Sequence, residues 1–324
     1  MKKRIVDLRT QEPLLDIVSY GRGGRALTQE AREHVARTVR RVPEVIVKVS
    51  GGARTLAGVE RHLDYIGRSG ELEVEGDGGE RVQKERFEQD LVYDWDLDLE
   101  ARQRQTERSI RGIRKPPKLV HNLVFSMPAG TPPKALLRAV RKFAIEEFAL
   151  KHRYLMVLHT DDPHPHVHMV VKAVSEQGTR LNIRKATLRE WRKRFAERLR
   201  EQGVAANATE RAVRGRPSAS LRDGIYRAHL RGESIRLNRH IGETRPMNLG
   251  DVSSIHRVRL IETNDAVKKG WGQLEQRLMD DGDIYLAQDV RRFVERMGAV
   301  HTDQELALHE LRTRVHERRH ERVR

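Results

Sequence analysis

Four histidines and two aspartates fall within the ten residues from His159 to His168. Side chains two positions apart in a strand point to the same face, so His166 and His168 would present two imidazoles side by side. His159 ends the preceding apolar run, and pairing of the two strands would bring a third imidazole to that face. Three protein ligands leave coordination positions open for a substrate, as catalytic metal sites require. The spacing therefore predicts a metal site held by these three histidines.

The other polar residues of this window lie in the turn between the two strands. Asp161 is placed to accept the free N–H of a ligating histidine, which would fix the tautomer of that ring. His164 and Asp162 are assigned either as a further ligand or as residues that orient the ligands. Neutral imidazoles suit Zn²⁺, Mn²⁺, Ni²⁺ or Fe²⁺, whereas phosphate oxygens would help to retain Mg²⁺ or Mn²⁺. The alternative is that all these residues belong to an ordinary polar surface loop.

The composition points to a polyanionic partner. The chain has 324 residues, a formal net charge of +16 and no cysteine. This basic excess favours phosphate contacts and counterion release, with a solvated basic surface, a ribosome-like protein or a membrane-surface protein as alternatives. The lack of cysteine excludes disulfides, thiolate metal sites and a cysteine nucleophile. No apolar run approaches membrane-spanning length and no signal peptide is evident, so we expect a cytoplasmic protein without membrane insertion.

A basic protein with an open metal site indicates phosphodiester chemistry, in which the metal polarises a phosphate oxygen. The attacking group is then water or the side chain of Ser, Thr, Tyr, Lys or His. Among six tyrosines, Tyr65 lies near the end of an amphipathic helix, between the apolar positions Leu63 and Ile66. Arg61 and Arg68 lie on either side of it and are candidates to hold a phosphate backbone. From the local pattern alone, a partly buried core tyrosine is the simpler interpretation.

Three separated motifs resemble those of conjugative relaxases of the HUH endonuclease superfamily, and look most like the P-type mobilisation relaxases and the related T-DNA border nickases. The strand at 45–49, followed by HLDYIGRSGEL around Tyr65, is similar to their first motif. The segment VHNLVFSMPAGT around Ser126 is similar to the second motif, and the histidine window to the third. The resemblance covers roughly residues 43–217 and has all three motifs in order.

The resemblance implies a site- and strand-specific nickase for a transfer origin on a plasmid or integrative element. Tyr65 would attack a phosphodiester, keep the 5′-phosphate and release a 3′-OH, and a later reverse attack would rejoin the strand. The three histidines would hold a divalent ion, Mg²⁺ or Mn²⁺ in this family, with Zn²⁺ or Ni²⁺ as alternatives. Ser126 would contact DNA near the scissile phosphate. The implied partners are single-stranded DNA, an accessory origin-binding protein and a secretion coupling protein.

One position departs from the family pattern, and two other functions stay open. The family often has a second acidic residue two positions after Asp161, where this chain has Pro163, with Asp162 one residue early. Asp161 is therefore a candidate catalytic residue because it would orient a ligating histidine. The sequence does not identify a general base. A rolling-circle replication initiator uses similar chemistry but usually has its tyrosine after the histidine pair. A non-catalytic basic DNA-binding accessory protein is the third hypothesis.

The elements that must position these residues alternate between strands and helices. This order predicts an α+β fold with a mostly antiparallel central sheet, one face of which is covered by helices, followed by a helical C-terminal region. Single-stranded DNA would lie across the sheet near the metal, beside a basic stretch at 184–200 that includes Lys185. Trp191 on that stretch would either stack on a base or belong to the core. The predicted elements are strands at 45–49, 119–127, 154–159, 167–173 and 180–183, and helices after Thr55 and at 85–105, 133–148, 187–202 and within 250–320.

Three regions follow from the same patterns. Residues 1–42 are predicted to form a basic, loosely ordered extension with one helix near 28–41. Residues 43–217 would form the nickase domain. Residues 218–324 would form a basic, mainly helical region of unknown role, and their charged C-terminal run fits a transfer signal, a DNA-binding tail or a solvated helix.

Overall fold

A computed structural model describes residues 20, 27–82, 87–97, 99, 116–215 and 253–300. They belong to two compact units, one of residues 42–208 and the other of residues 1–41 and 209–324. The boundaries placed at 42 and 217 from the sequence stay predictions. In chain order the elements are α1 (Gln29–Val39), β1 (Ile46–Gly51), α2 (Leu56–Gly67), β2 (Val74–Gly76), β3 (Arg81–Val82), α3 (Phe87–Asp94), β4 (Val120–Ser126), α4 (Pro133–Phe148), β5 (Tyr154–His159), β6 (His166–Lys172), α5 (Lys185–Glu201), α6 (Ser253–Asp280) and α7 (Ile284–Glu295).

The described strands of the 42–208 unit form one six-stranded sheet in the order β1-β4-β6-β5-β2-β3. Every pair of neighbours is antiparallel, so the α+β class with an antiparallel central sheet is confirmed. β6 lies inside the sheet, paired with β4 on one side and with β5 on the other. The strand expected at 180–183 is reduced to a single bridge between Val174 and Arg180.

Helices cover both faces of the sheet, which corrects the expectation that they would cover one. On the first face, called here the α4/α5 face, Phe125 of β4 packs with Phe143 of α4 and Phe195 of α5. On the opposite α2/α3 face, Leu63 of α2 packs with Val170 of β6. Strands buried on both faces carry nearly continuous apolar runs, as β4 and β6 do, and such runs do not reveal which face a helix will cover.

The basic helix α5 lies on the α4/α5 face, whereas His166 and His168 alternate with Val167 and share the α2/α3 face with Val170. Trp191 is 1% exposed and its ring centre lies 5.5 Å from that of Phe148. It therefore belongs to the core and does not stack on a base. The structure does not bring helix α5, or its exposed first residue Lys185, together with the histidines.

The second unit has a core of its own. Val35 of α1 packs with Trp271 of α6 and Phe293 of α7, and all three are buried. The Arg32 side chain also forms an ion pair with Asp281 at 2.7 Å. The helix expected near 28–41 is thus present at 29–39, and its apolar stripe packs with residues far along the chain. Among the described residues, no helix is both long and apolar enough to cross a membrane.

His121 on β4 gives the 42–208 unit a built-in sensitivity to acid. Its Nδ1 atom is buried without a hydrogen-bond partner among the described residues. Burial, helped by the nearby charges of Lys118, Arg180 and His152, lowers the pKa of His121 to about 4 from an ordinary 6.5. As the pH falls, the unfolded chain therefore binds a proton at His121 before the folded chain does. The stability that the neutral His121 ring contributes is fully present above pH 6.5 and is lost as the pH falls from 6.5 towards 4.

We expect a His121→Leu variant to lose less stability on acidification than the wild-type chain. After allowance for solvent screening, the difference in the unfolding free energy between pH 7 and pH 5 should be smaller by about 1 kcal/mol. Urea denaturation at the two pH values measures it. A His164→Gln variant is the control, because this exposed side chain lies in a turn. Equal pH dependence in the His121→Leu variant and the wild type would contradict the expectation.

Candidate active site

Three histidines converge at the ends of β5 and β6. His159 pairs directly with His166 across the two strands, and His168 lies two residues along on the same face. The three ring centres are 4.6 to 5.1 Å apart. One nitrogen from each ring lies within 4.8 Å of the other two. The alternation predicted from the sequence thus produces a compact cluster of three imidazoles.

Backbone carbonyls fix the tautomers of two of these rings. His159 is fully buried, and its Nε2–H donates to the Ile66 carbonyl at 2.7 Å. His166 donates its Nδ1–H to the His164 carbonyl at 3.0 Å. In each ring the proton on one nitrogen leaves a lone pair on the other, which is the form that binds a metal ion. The lone-pair nitrogen of His159, Nδ1, is buried without a hydrogen-bond partner in the described part of the chain.

His168 is the ring most strongly held in its neutral form. Burial is the main cause, and the neighbouring His159 and His166 add to it, so that the pKa of His168 falls to about 3. Burial also lowers the pKa of His159. Neutral imidazoles at this spacing, with two buried Nδ1 atoms that have no described partner, fit a divalent cation. The donor set is three nitrogens without a carboxylate, which suits Zn²⁺ or Ni²⁺ directly and suits Mg²⁺ or Mn²⁺ once phosphate or water oxygens complete the coordination.

Tyr65 lies in the last turn of α2, where it is 57% exposed. The helix begins at Thr55, whose side chain accepts a hydrogen bond from the Gly58 amide. It ends at Arg68, which has a left-handed backbone with φ 52° and ψ 51°. Ser69 also has a positive φ of 52°, and a left-handed backbone at a residue other than glycine is strained and is often found at functional sites. This ending turns the Arg68 side chain back over the Tyr65 ring, with Cζ 5.3 Å from the ring centre.

Arg68 and Asp161 form an ion pair of 2.5 Å between the end of α2 and the histidine window. Their hydrogen bond holds the pKa of Asp161 below its ordinary value and raises that of Arg68. The Asp161 carboxylate lies 3.7 Å from Nδ1 of His159, beyond hydrogen-bond distance. The expected hydrogen bond from a ligating histidine to Asp161 is therefore absent here, because Ile66 takes the N–H of His159 and Arg68 takes the carboxylate.

His62 is a residue of the site that is not among those predicted from the sequence. It lies one turn before Tyr65, and the two ring planes are 24° apart with centres separated by 6.4 Å. Its Nε2 atom is buried without a described hydrogen-bond partner, and burial lowers the pKa of the ring. His62 is also close enough to His168 to depress the pKa of that histidine. The i, i+3 spacing from Tyr65 was the only signal in the sequence.

The remaining predicted residues take different places. Ser126 ends β4 directly opposite His166, on the same face as the cluster. The His164 ring is not in the cluster, and it lies with Asp162 in the turn, where the Asp162 side chain accepts from the His164 amide at 3.0 Å. Arg61 is exposed and donates to the Ala57 carbonyl of its own helix. The structure therefore groups Ser126 with the histidines, but not Arg61 or the His164 ring.

Comparisons with known proteins find similarity to one family. Residues 65–204 match the family model described as "Relaxase: MobA/VirD2-like, nuclease domain". The T-DNA border endonuclease VirD2 of Rhizobium radiobacter is 27% identical over 212 residues, which are 59% of this chain and 47% of that protein. VirD2 of Agrobacterium fabrum is also 27% identical, over 57% of this chain and 43% of that protein. The chain thus spans about half the length of the curated relatives that it matches.

A solved structure is also similar. It comes from work on the molecular basis of vancomycin resistance transfer in Staphylococcus aureus, and it is 12% identical with a TM-score of 0.34. The match covers 52% of this chain and 99% of that one.

Proposed function

We propose that this chain, in which residues 65–204 match the MobA/VirD2-like relaxase nuclease domain, is a relaxase of the HUH type, a DNA nickase that acts at a transfer origin in conjugative mobilisation. The reaction is a transesterification on one strand. The Tyr65 hydroxyl attacks the scissile phosphorus, and a bond from Tyr65 to the 5′-phosphate forms. The bond to the 3′-oxygen breaks, and that oxygen leaves as a 3′-OH that carries the proton given up by the phenol. The reverse attack by a 3′-OH rejoins the strand, and the phosphotyrosyl link conserves the bond energy that this step needs.

One observation supports this proposal most directly. Two bonds join the end of α2, which carries Tyr65, to the histidine cluster: His159 to the Ile66 carbonyl and Asp161 to Arg68. Tyr65 itself is exposed and open to a large substrate. Its neighbours Leu63 and Ile66 are fully buried, so this end of the helix is fixed to the core while the Tyr65 side chain stays exposed.

Each residue near the cluster has a part in this reaction. His159, His166 and His168 would hold the divalent ion, which when bound supplies Lewis-acid polarisation of a phosphate oxygen. Arg68 orients the Tyr65 ring and holds Asp161. When the strand binds, a DNA phosphate competes with the Asp161 carboxylate for the Arg68 guanidinium group. Ser126 contacts the strand beside His166. Orientation of this kind lowers the barrier because the reacting atoms are already aligned when the strand binds.

Several expectations extend the proposal. The substrate is single-stranded DNA at an origin, and Mn²⁺ or Mg²⁺ is the expected ion, with Zn²⁺ or Ni²⁺ as alternatives. An accessory origin-binding protein and a secretion coupling protein are expected partners, and a cytoplasmic location stays a prediction. The name T-DNA border endonuclease belongs to the relatives, and the site cut by this chain is to be found by experiment.

The test uses the full chain and labelled single-stranded oligonucleotides that tile the DNA beside its coding sequence. With Mn²⁺ or Mg²⁺, at least one oligonucleotide should give a covalent adduct that survives boiling in detergent, together with a shorter fragment that ends in a 3′-OH. Excess chelator should abolish both products. Binding without an adduct on any tile would favour the non-catalytic accessory protein, and cleavage without a covalent link would favour hydrolysis by water.

A further inference from the structure

The α2/α3 face is only partly covered by described helices. Helices α2 and α3 pack over the half of the sheet made by β2, β5 and β6, in one core with Val74 and Val170. On the edge strand β1, the residues that alternate with the buried Val45 and Val47 are exposed. Among them Ile46 is 46% exposed, although it is an isoleucine within a strand.

The strand register places this exposed stretch in line with the histidines. Ile46 pairs with Ser126, and Ser126 pairs with His166. Neighbouring strands are about 4.8 Å apart, so Ile46 and His166 are separated by roughly 10 Å along this row. About three stacked nucleotides cover that distance at roughly 3.4 Å each. The exposed part of β1 is therefore within a few nucleotides of the proposed scissile phosphate.

The charge of this stretch suits a nucleic acid. In the neighbouring row of cross-strand pairs, Lys48 pairs with Val124, and Val124 pairs with His168. Lys48 is exposed and has no ion pair among the described residues. Neither β1 nor β4 contains an aspartate or a glutamate. An aliphatic side chain beside a free ammonium group offers an apolar surface for a base and a charge for the adjacent phosphate.

From this arrangement we infer that the nucleotides adjoining the nicked phosphate run from the histidine cluster across β4 and onto β1, where Ile46 contacts a base and Lys48 a phosphate. This path rests on the proposed function and extends it, because it names residues that set how the strand is held beside the site. It also replaces the predicted path along helix α5, which lies on the opposite face.

The test measures binding of a fluorescent 20-nucleotide oligo-dT to the full chain in chelator, so that cleavage cannot contribute. At 150 mM salt we expect an Ile46→Lys variant to bind about three- to fivefold more tightly and an Ile46→Glu variant to bind at least as much more weakly. Ile145 on α4 is a matched control, because it is 52% exposed and lies in the helix layer of the opposite face. Ile145→Lys and Ile145→Glu should each shift the affinity less than twofold, because salt screens charges that lie more than about 8 Å from the bound strand.

Two further variants test the individual contacts. Lys48→Gln should weaken binding about threefold and reduce the salt slope by about 0.7, as expected for one lost phosphate contact on a single strand. Lys151 is an exposed lysine just before β5, at the end of that strand away from His159, and Lys151→Gln should change neither. Ile46→Trp should bind oligo-dT about fivefold more tightly by stacking and should bind a blunt duplex as the wild type does. An equal gain on the duplex would reject an unpaired strand on this surface.

Opposite shifts for lysine and glutamate at one position cannot come from loss of folding, which would weaken binding in both. Weaker binding by both Ile46 variants, or equal shifts in the Ile46 and Ile145 pairs, would overturn the path. If the wild type forms the covalent adduct but the Ile46 pair behaves like the control, the nickase stands and the path fails. If the Ile46 pair shifts as expected but no adduct forms on any tile, binding of a single strand to β1 stands and the nickase fails.

Discussion

Changing Tyr65 to phenylalanine is expected to abolish the covalent DNA adduct while DNA binding stays within about twofold of the wild-type chain. Phenylalanine keeps the ring that lies beneath Arg68 and removes only the hydroxyl. Because that side chain is 57% exposed, the change should not disturb the core. Loss of the nucleophile should lower the rate at least about a thousandfold. Adduct formation on the responsive oligonucleotide, followed on a denaturing gel, measures it.

Tyr93 is a matched control for this experiment. It belongs to α3, which packs on the same face of the sheet, and it is 81% exposed. A Tyr93→Phe variant should form the adduct at the wild-type rate. In the wild type, digestion of the adduct and mass spectrometry should locate the nucleotide on the peptide that contains Tyr65. An adduct that survives in Tyr65→Phe, or that maps to another tyrosine, would reject the assignment.

The histidine site was predictable because its geometry depends on short-range patterns. The alternation of His166 and His168 with Val167 sets which face each side chain occupies, and the apolar run that ends at His159 indicated a neighbouring strand. Strand pairing across a short turn then brings the third ring to the other two. The polar turn and its two flanking strands lie within one short stretch of sequence, so no long-range contact had to be guessed.

The partner of Asp161 was not predictable in the same way. Arg68 lies 93 positions earlier in the sequence, and it reaches the carboxylate because α2 ends in a left-handed residue. Nothing in the residues around Asp161 indicates that cap. The carbonyl of Ile66, which holds His159, comes from the same helix end. The contacts that orient the site thus come from α2, whose position over the sheet is set by packing of Leu63 and Val170.

The face of the sheet that each helix covers was also not predictable from the sequence. The periodicity of α5 predicts an apolar stripe, and that stripe carries Trp191 into the core. Periodicity does not show which face of the sheet the helix packs against, because β4 and β6 are apolar on both sides. The sequence alone therefore gives no geometric support for placing the segment with Lys185 on the DNA side. The partner of α1 was missed for a similar reason, since Trp271 and Phe293 lie more than two hundred positions away.

Removal of the His168 ring is the second change with a large expected effect. Its neutral form is favoured by burial, with a pKa of about 3, so at neutral pH its lone pair is available to a cation without loss of a proton. Loss of one ligand from a three-nitrogen site should weaken Mn²⁺ binding at least about a hundredfold and slow cleavage by a similar factor. Calorimetric titration with Mn²⁺ and the adduct assay measure the two effects.

Two substitutions keep this experiment interpretable. His168→Gln fills about the same volume as histidine and cannot supply an imidazole nitrogen, so it separates loss of a ligand from loss of packing beside His62. His164→Ala removes a histidine only four residues away, whose exposed ring lies outside the cluster. That variant should bind Mn²⁺ within about threefold of the wild type, because the carbonyl that holds His166 remains. Equal loss of Mn²⁺ affinity in both variants, or none in His168→Gln, would show that the three imidazoles do not hold the ion.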